Sequence, residues 1–146
     1  MASVVEDFLT TEEEQEVVEA IRQAELKTSG EIRVHLERKC ELDAFERAKE
    51  LFHYLKMDNT KAENGVLIYV AVDAKKFAIC GDRGINRVVP ENFWQSTKDL
   101  MQTEFKNRKF KDGLVKGINS AGKQLAKFFP WDADDVNELS DEISTS

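Results

Sequence analysis

Val66-Leu-Ile-Tyr-Val-Ala-Val72 is apolar at nearly every position, with no alternation between one face and the other. Successive side chains of a strand point to opposite faces, so a run without polar positions marks a strand shielded from water on both sides, as in a sheet flanked by helices. This run is read as the central strand. Asn64-Gly65 restarts the backbone before it, and Asp73-Ala-Lys-Lys76 is a short polar break after it. Phe77-Ala-Ile-Cys80 follows, so the second and third strands are expected to form a hairpin with its turn at residues 73–76.

Toward the N-terminus, Glu31-Ile-Arg-Val-His-Leu-Glu37 alternates apolar and polar residues, the period of a half-buried strand, and His35 is expected to face outward with Arg33 and Glu37. Before it, Thr11 and Glu14 have the spacing of a capping box, and Val17, Val18, Ile21 and Ala24 recur at helical spacing as far as the stop at Ser29-Gly30. Between the first two strands, Asp43 is a good N-cap for a helix carrying Ala44, Ala48, Leu51, Phe52 and Leu55 on one face. Strand, helix, strand demands a parallel pair joined by a right-handed crossover. Beyond the third strand, Pro90 is expected to open a helix bearing Phe93, Trp94, Thr97, Leu100, Met101 and Phe105. A last helix is expected from near Asp112, with Leu114, Ile118, Ala121, Leu125 and Phe128 on one stripe, ending at Pro130. The fold class is therefore α/β: a three-layer α/β/α sandwich around a small mixed sheet, a parallel pair plus an antiparallel hairpin strand. Residues 1–130 form one domain and residues 131–146 an acidic, flexible tail that adds little to the packing.

Composition agrees with a single globular domain: 146 residues, 41% hydrophobic and 34% charged. The longest apolar run is far too short to span a bilayer. The net charge of −7 is concentrated in residues 131–146, which hold Asp132, Asp134, Asp135, Glu138, Asp141 and Glu142 and no Lys or Arg. Without those six, 22 acids stand against 21 bases. The domain thus has no electrostatic footprint for nucleic acid, and its anionic tail opposes docking on acidic membranes. The first eleven residues contain Glu6 and Asp7 and no basic n-region, so a cytoplasmic, monomeric protein is expected. Cys40 and Cys80 are too few for a disulfide framework, and with His35 and His53 they match no zinc spacing; both are read as reduced thiols.

Several familiar signatures fail. No G-x-G-x-x-G or Walker sequence is present. Cys80 and Arg87 stand seven positions apart, one more than a cysteine-phosphatase loop requires, and a buried strand cysteine is the better reading. Asp132-Ala-Asp134-Asp135-Val136 has the D-x-D-x-V pattern of an aspartyl phosphatase but follows a helix end instead of a strand. It also fails as an EF-hand, with Asn137 at the sixth place and Ile143 at the twelfth. No serine has an identifiable base and orienter.

Topology assembles a richer set. Parallel pairing brings the starts of the first two strands to one edge, and the hairpin adds the end of the third. That edge gathers Ser29, Gly30 and Glu31, then Glu63 and Asn64, then Gly81, Asp82, Arg83 and Gly84. The carboxylates of Glu31, Glu63 and Asp82 and the amide oxygen of Asn64 are hard oxygen ligands suited to calcium or magnesium. The competing reading makes Glu63 and Asn64 turn residues and lets Arg83 neutralise Asp82. Open α/β sheets more often bind ligands at the other edge, where Glu37, Glu41, Asp43 and Asp73 would lie.

The strings Thr28-Ser-Gly-Glu-Ile-Arg-Val34, Asn64-Gly-Val-Leu-Ile68 and Phe77-Ala-Ile-Cys-Gly-Asp-Arg-Gly-Ile85 resemble the TPM domain. The likeness continues through Val89-Pro-Glu-Asn-Phe-Trp94, residues 110–118 with Gly113 and Gly117, and Phe128-Phe-Pro130, so it covers residues 12–130. It implies an α/β/α sandwich able to hold calcium, and it brings the acid-phosphatase activity reported for a thylakoid-lumen member. Many members carry a signal peptide and a membrane anchor; this chain is similar to the short soluble bacterial type. The expected function is a divalent-cation-binding module, calcium first and magnesium as the alternative, that stabilises or signals to a protein partner. A weak metal-dependent acid phosphatase is the first alternative and a ligand-free interaction scaffold the second.

Overall fold

The computed structural model describes residues 4–60, 62–131 and 142–146. Its sheet is built on β2 (Gly65–Ala71), every residue of which is buried. Strand β1 (Glu31–Glu37) pairs with it in parallel, Glu31 opposite Gly65 and Glu37 opposite Ala71. Strand β3 (Lys76–Gly81) returns antiparallel, with Val66 opposite Gly81. The hairpin turn is tight enough to hold Lys75 at φ 56°. These are the expected pairings.

The two faces of β2 belong to separate cores. Leu67, Tyr69 and Ala71 pack with Ala78 and Cys80 of β3 beneath α3 (Ala44–Tyr54), which contributes Ala48, Leu51 and Phe52. Val66, Ile68 and Val70, with Ile32, Val34 and Leu36 of β1, meet Val17, Ile21 and Ala24 of α2 (Thr11–Glu25) and Leu114, Ile118, Ala121 and Leu125 of α6 (Phe110–Phe128). Helix α5 (Gln95–Lys106) joins this second layer through Met101. Helices on both faces make the sandwich, and the uninterrupted apolar run of β2 is its direct cause.

Several boundaries differ from expectation. A short helix α1 (Val4–Phe8) precedes α2, which is capped by Thr10 and Glu13 one residue before the expected pair. Glu13 N lies 3.1 Å from Thr10 Oγ1 and Thr10 N 2.9 Å from Glu13 Oε1. Thr10-x-x-Glu13 and Thr11-x-x-Glu14 share one pattern, and burial of Leu9 immediately before the cap selects the first. Pro90 does not open α5. Residues 90–94 form turns instead, because the rings of Phe93 and Trp94 are both buried, edge to face at 4.6 Å, and the helix begins only once they are seated.

The acidic stretch holds a further difference. Residues 132–141, including the D-x-D-x-V run, lie outside the described residues, but Ser144–Thr145 form a strand β4 beside His35 and Leu36, giving the order β3-β2-β1-β4. Ser144, Thr145 and Ser146 therefore pack on the sheet, where an unpacked tail was expected. Among the described residues no helix is long and apolar enough to cross a membrane.

Candidate functional site

The edge at the starts of β1 and β2 is closed by backbone bonds that fix three of the expected residues. Glu31 N donates to Asn64 O at 3.3 Å, and Asp82 N donates to Gly65 O at 2.9 Å. Asn64 Nδ2 reaches Ser29 Oγ at 3.3 Å. Glu31, Asn64 and Asp82 are all buried, at 4%, 2% and 4% exposure, so three polar side chains lie out of water at one sheet edge.

Asp82 leaves β3 and caps the one-turn helix α4 (Arg83–Asn86), with Oδ1 accepting from Arg83 N at 2.7 Å. Its second oxygen, Oδ2, is buried and has no hydrogen-bond partner among the described residues. Burial pushes the Asp82 carboxyl above the ordinary aspartate range, and the nearby charges of Glu63 and Asp58 push the same way. Thr60 Oγ1, in the loop between α3 and β2, is likewise buried and unpartnered among the described residues. An oxygen in this condition costs free energy unless something occupies its lone pairs.

Glu63 sits differently from expectation. Its backbone is left-handed, φ 52°, and its Oε2 faces Arg83 Nε at 3.4 Å and an Arg87 guanidinium nitrogen at 3.1 Å. Arg83 thus offers Asp82 its backbone N–H and turns its guanidinium toward Glu63, so in place of the Asp82 to Arg83 pair of the competing reading Glu63 pairs with Arg83 and Arg87. Among the described residues no three His, Cys, Asp or Glu are grouped to hold a metal ion. Glu31, Asn64 and Asp82 share the edge, while Glu63 is engaged beside it. Sequence reading missed Asp58, which follows α3 in the 3-10 turn Met57–Asn59 and whose charge acts on Asp82. Its polar run carries only a loop signal until the turn brings the Asp58 charge near Asp82.

The opposite edge serves structure. Glu37 Oε1 and Oε2 accept from Arg47 at 2.6 and 3.1 Å, Oε2 from Tyr69 at 2.5 Å, and Oε1 from Ser146 at 2.7 Å. Burial would raise the Glu37 carboxyl, but these bonds outweigh it and hold it at about 2. Asp43 caps α3 through Phe45 N and Glu46 N, while Glu41 and Asp73 are exposed. The Cys80 thiol is pushed up to about 11 by burial, the reverse of an activated nucleophile.

This architecture is shared with solved structures. The BA42 protein of the psychrophilic bacterium Bizionia argentinensis is 58% identical, superposes with a TM-score of 0.91, and the alignment covers 97% of this chain and 98% of that one. The N-terminal domain of a P. gingivalis protein is 18% identical at a TM-score of 0.67, covering 84% and 79%. The N-terminal domain of a Corynebacterium glutamicum protein is 9% identical at 0.64, covering 94% and 80%. At those identities the last two share the fold alone. No curated protein matches the chain. The model of the TPM domain matches residues 4–124, most of the chain and three of its sheet's four strands (β1, β2 and β3), and the chain therefore belongs to the TPM domain family.

Proposed function

We propose that this domain binds a divalent cation, calcium first and magnesium as the smaller competitor, at the edge formed by Glu31, Asn64 and Asp82. The observation that carries the reading is Asp82 Oδ2, an ionisable oxygen buried without a hydrogen-bond partner among the described residues. The donor chemistry fits, since the carboxylates of Glu31 and Asp82 and the amide oxygen of Asn64 are hard oxygens. Glu63 would add a second outward carboxylate only by exchanging Arg83 and Arg87 for the cation. The expected affinity is modest, on the order of 10⁻⁴ to 10⁻³ M, as for sites without an EF-hand loop. The role that follows is a stabilising or regulatory module without strong catalysis.

One observation favours the phosphatase reading as a second possibility. Arg83 and Arg87 converge on Glu63, so displacing that carboxylate would present two guanidiniums to a phosphate, where sequence alone offered Arg83. When bound, the cation would polarise a phosphoryl oxygen.

The test is a calcium titration followed by backbone amide shifts and by melting. Shifts are expected around residues 31, 63–65 and 82–84. At about 100 times the dissociation constant, binding to the folded state alone adds roughly 2.7 kcal/mol. Asp82→Asn keeps the α4 cap oxygen and removes the charge, so it should abolish most of the rise. Turnover of p-nitrophenyl phosphate that needs calcium and is lost in Asp82→Asn would establish the enzyme. No shift up to about 10 mM, beyond the affinity range of weak calcium modules, would leave the scaffold with a protein partner in place of both.

A further inference from the structure

His35, expected at the surface, is 1% exposed. Its ring stacks on Tyr69 of β2, centroids 6.2 Å apart and 19° from parallel. The other contacts come from β4. Nδ1 lies 2.8 Å from Ser144 Oγ and Nε2 lies 2.7 Å from Ser146 Oγ. The hydroxyls stand two residues apart, so Nδ1 contacts the added strand and Nε2 the residue immediately after it. Ser146 N also donates to Leu36 O at 3.2 Å. Ser144 Oγ lies 3.2 Å from Val34 O.

We propose that β4 is a proton-gated latch on the edge of β1, docked while His35 is neutral and released when His35 takes up a proton. A neutral imidazole has one donor and one acceptor nitrogen: Nε2–H donates to Ser146 Oγ, whose own proton goes to Glu37 Oε1, and Nδ1 accepts the Ser144 hydroxyl proton at 2.8 Å in place of the longer 3.2 Å contact to Val34 O, so no charge is buried. An imidazolium in the same place carries a charge that it cannot hydrate while β4 covers it.

The charged groups that face the ring do not compensate. Glu37, on the same strand, attracts the proton, but its oxygens already accept from Arg47 of α3, Tyr69 of β2 and Ser146 just after β4. Arg47 and Arg33 add like charge, and the Tyr69 phenol, itself pushed upward by burial, stays neutral. Burial is the largest cause and holds His35 at about 4, below its ordinary 6.5. Glu37, held at about 2, does not titrate in that window.

Because β4 supplies part of the burial, linkage is reciprocal, and whatever docking costs the proton, the proton costs docking. The undocked state binds the proton more tightly, so docking weakens as pH falls from about 6.5 toward about 4. The weakening reaches at most about two orders of magnitude, since β1 and β2 also bury the ring. A two-residue strand can open locally while the main core stays closed.

The test uses the full chain, with His35 ring signals and backbone amides recorded by NMR from pH 7.5 to 4. The amides of Ser144, Thr145 and Ser146 should leave their docked positions with the midpoint of the His35 ring, while those of β2 hold theirs. In His35→Gln, an uncharged side chain with one donor and one acceptor group, the three amides should stay docked throughout. In Ser144→Ala with Ser146→Ala, the His35 midpoint should move up toward 6.5, a result that decides the matter if His35→Gln does not fold. The latch is overturned if the amides stay docked through the His35 titration, or if they undock at the same pH in His35→Gln. It is equally overturned if β2 unfolds at the same midpoint, or if the double serine variant leaves the His35 midpoint unchanged.

Discussion

At the scale of single residues, the site depends on how closely two backbones meet. A Cβ on Gly84 would stand 2.5 Å from Glu63 O and 2.6 Å from Ala62 O, both main-chain atoms with no rotamer to yield. Gly84 has no left-handed φ, so its smallness answers a close approach and not a conformational need. This contact seats the 62–63 backbone on α4, where Glu63 can reach Arg83 and Arg87. Gly84→Ala should cost about 1 to 3 kcal/mol in urea unfolding, the usual scale of overpacking, and should move the amides of residues 62–64. A loss below about 0.5 kcal/mol, the range of an ordinary surface change, would mean that the loop yields freely and does not hold Glu63 in place.

At the scale of elements, helix α2 offers two overlapping caps and uses one. With Thr10 as N-cap its hydroxyl satisfies the Glu13 N–H, and Thr11 becomes the first helical residue with no capping duty. Thr10→Ala should therefore destabilise the domain by about 1 kcal/mol, whereas Thr11→Ala should stay within a few tenths of wild type. Thermal or chemical unfolding of the two variants separates the registers, and the reverse ranking would restore the Thr11 cap. Elsewhere the element reading held wherever the apolar period was long, as in β2 and α6, and slipped at ends set by tertiary anchors. Pro90 is the example, since buried Phe93 and Trp94 delay α5 to Gln95.

At the scale of the whole molecule, a buried group and a half-buried one tie stability to pH with the same sign. His35 has a folded pKa of about 4 against 6.5, so the unfolded chain binds more protons between those values and stability falls as pH drops through them. Glu37, at about 2 against 4.5, extends the loss further into acid, its contribution being complete above its unfolded value. Urea midpoints should therefore decline from about pH 6.5 downward, and His35→Gln should flatten the part of the curve above pH 4.5 while leaving the steeper acid limb. A flat wild-type profile between pH 6.5 and 4.5 would show that His35 is not held neutral by the fold.

The sequence by itself determined the sandwich. The apolar run of β2, the alternation of β1 and the helical stripes of α2, α3 and α6 are local records of which side chains must leave water, and those periods imply parallel pairing with helices on both faces. It also placed Glu31, Asn64 and Asp82 at one edge, because strand direction follows from connectivity. Only the tertiary structure decided that Glu63 turns to Arg83 and Arg87, that Asp82 Oδ2 is left without a partner among the described residues, and that His35 is buried. Period two assigns His35 to the face of Arg33 and Glu37, but Ser144 and Ser146, 109 and 111 residues away, cover the ring nitrogens and supply part of its burial. A side chain's period records its face of the strand; whether that face meets water depends on chain that arrives from elsewhere.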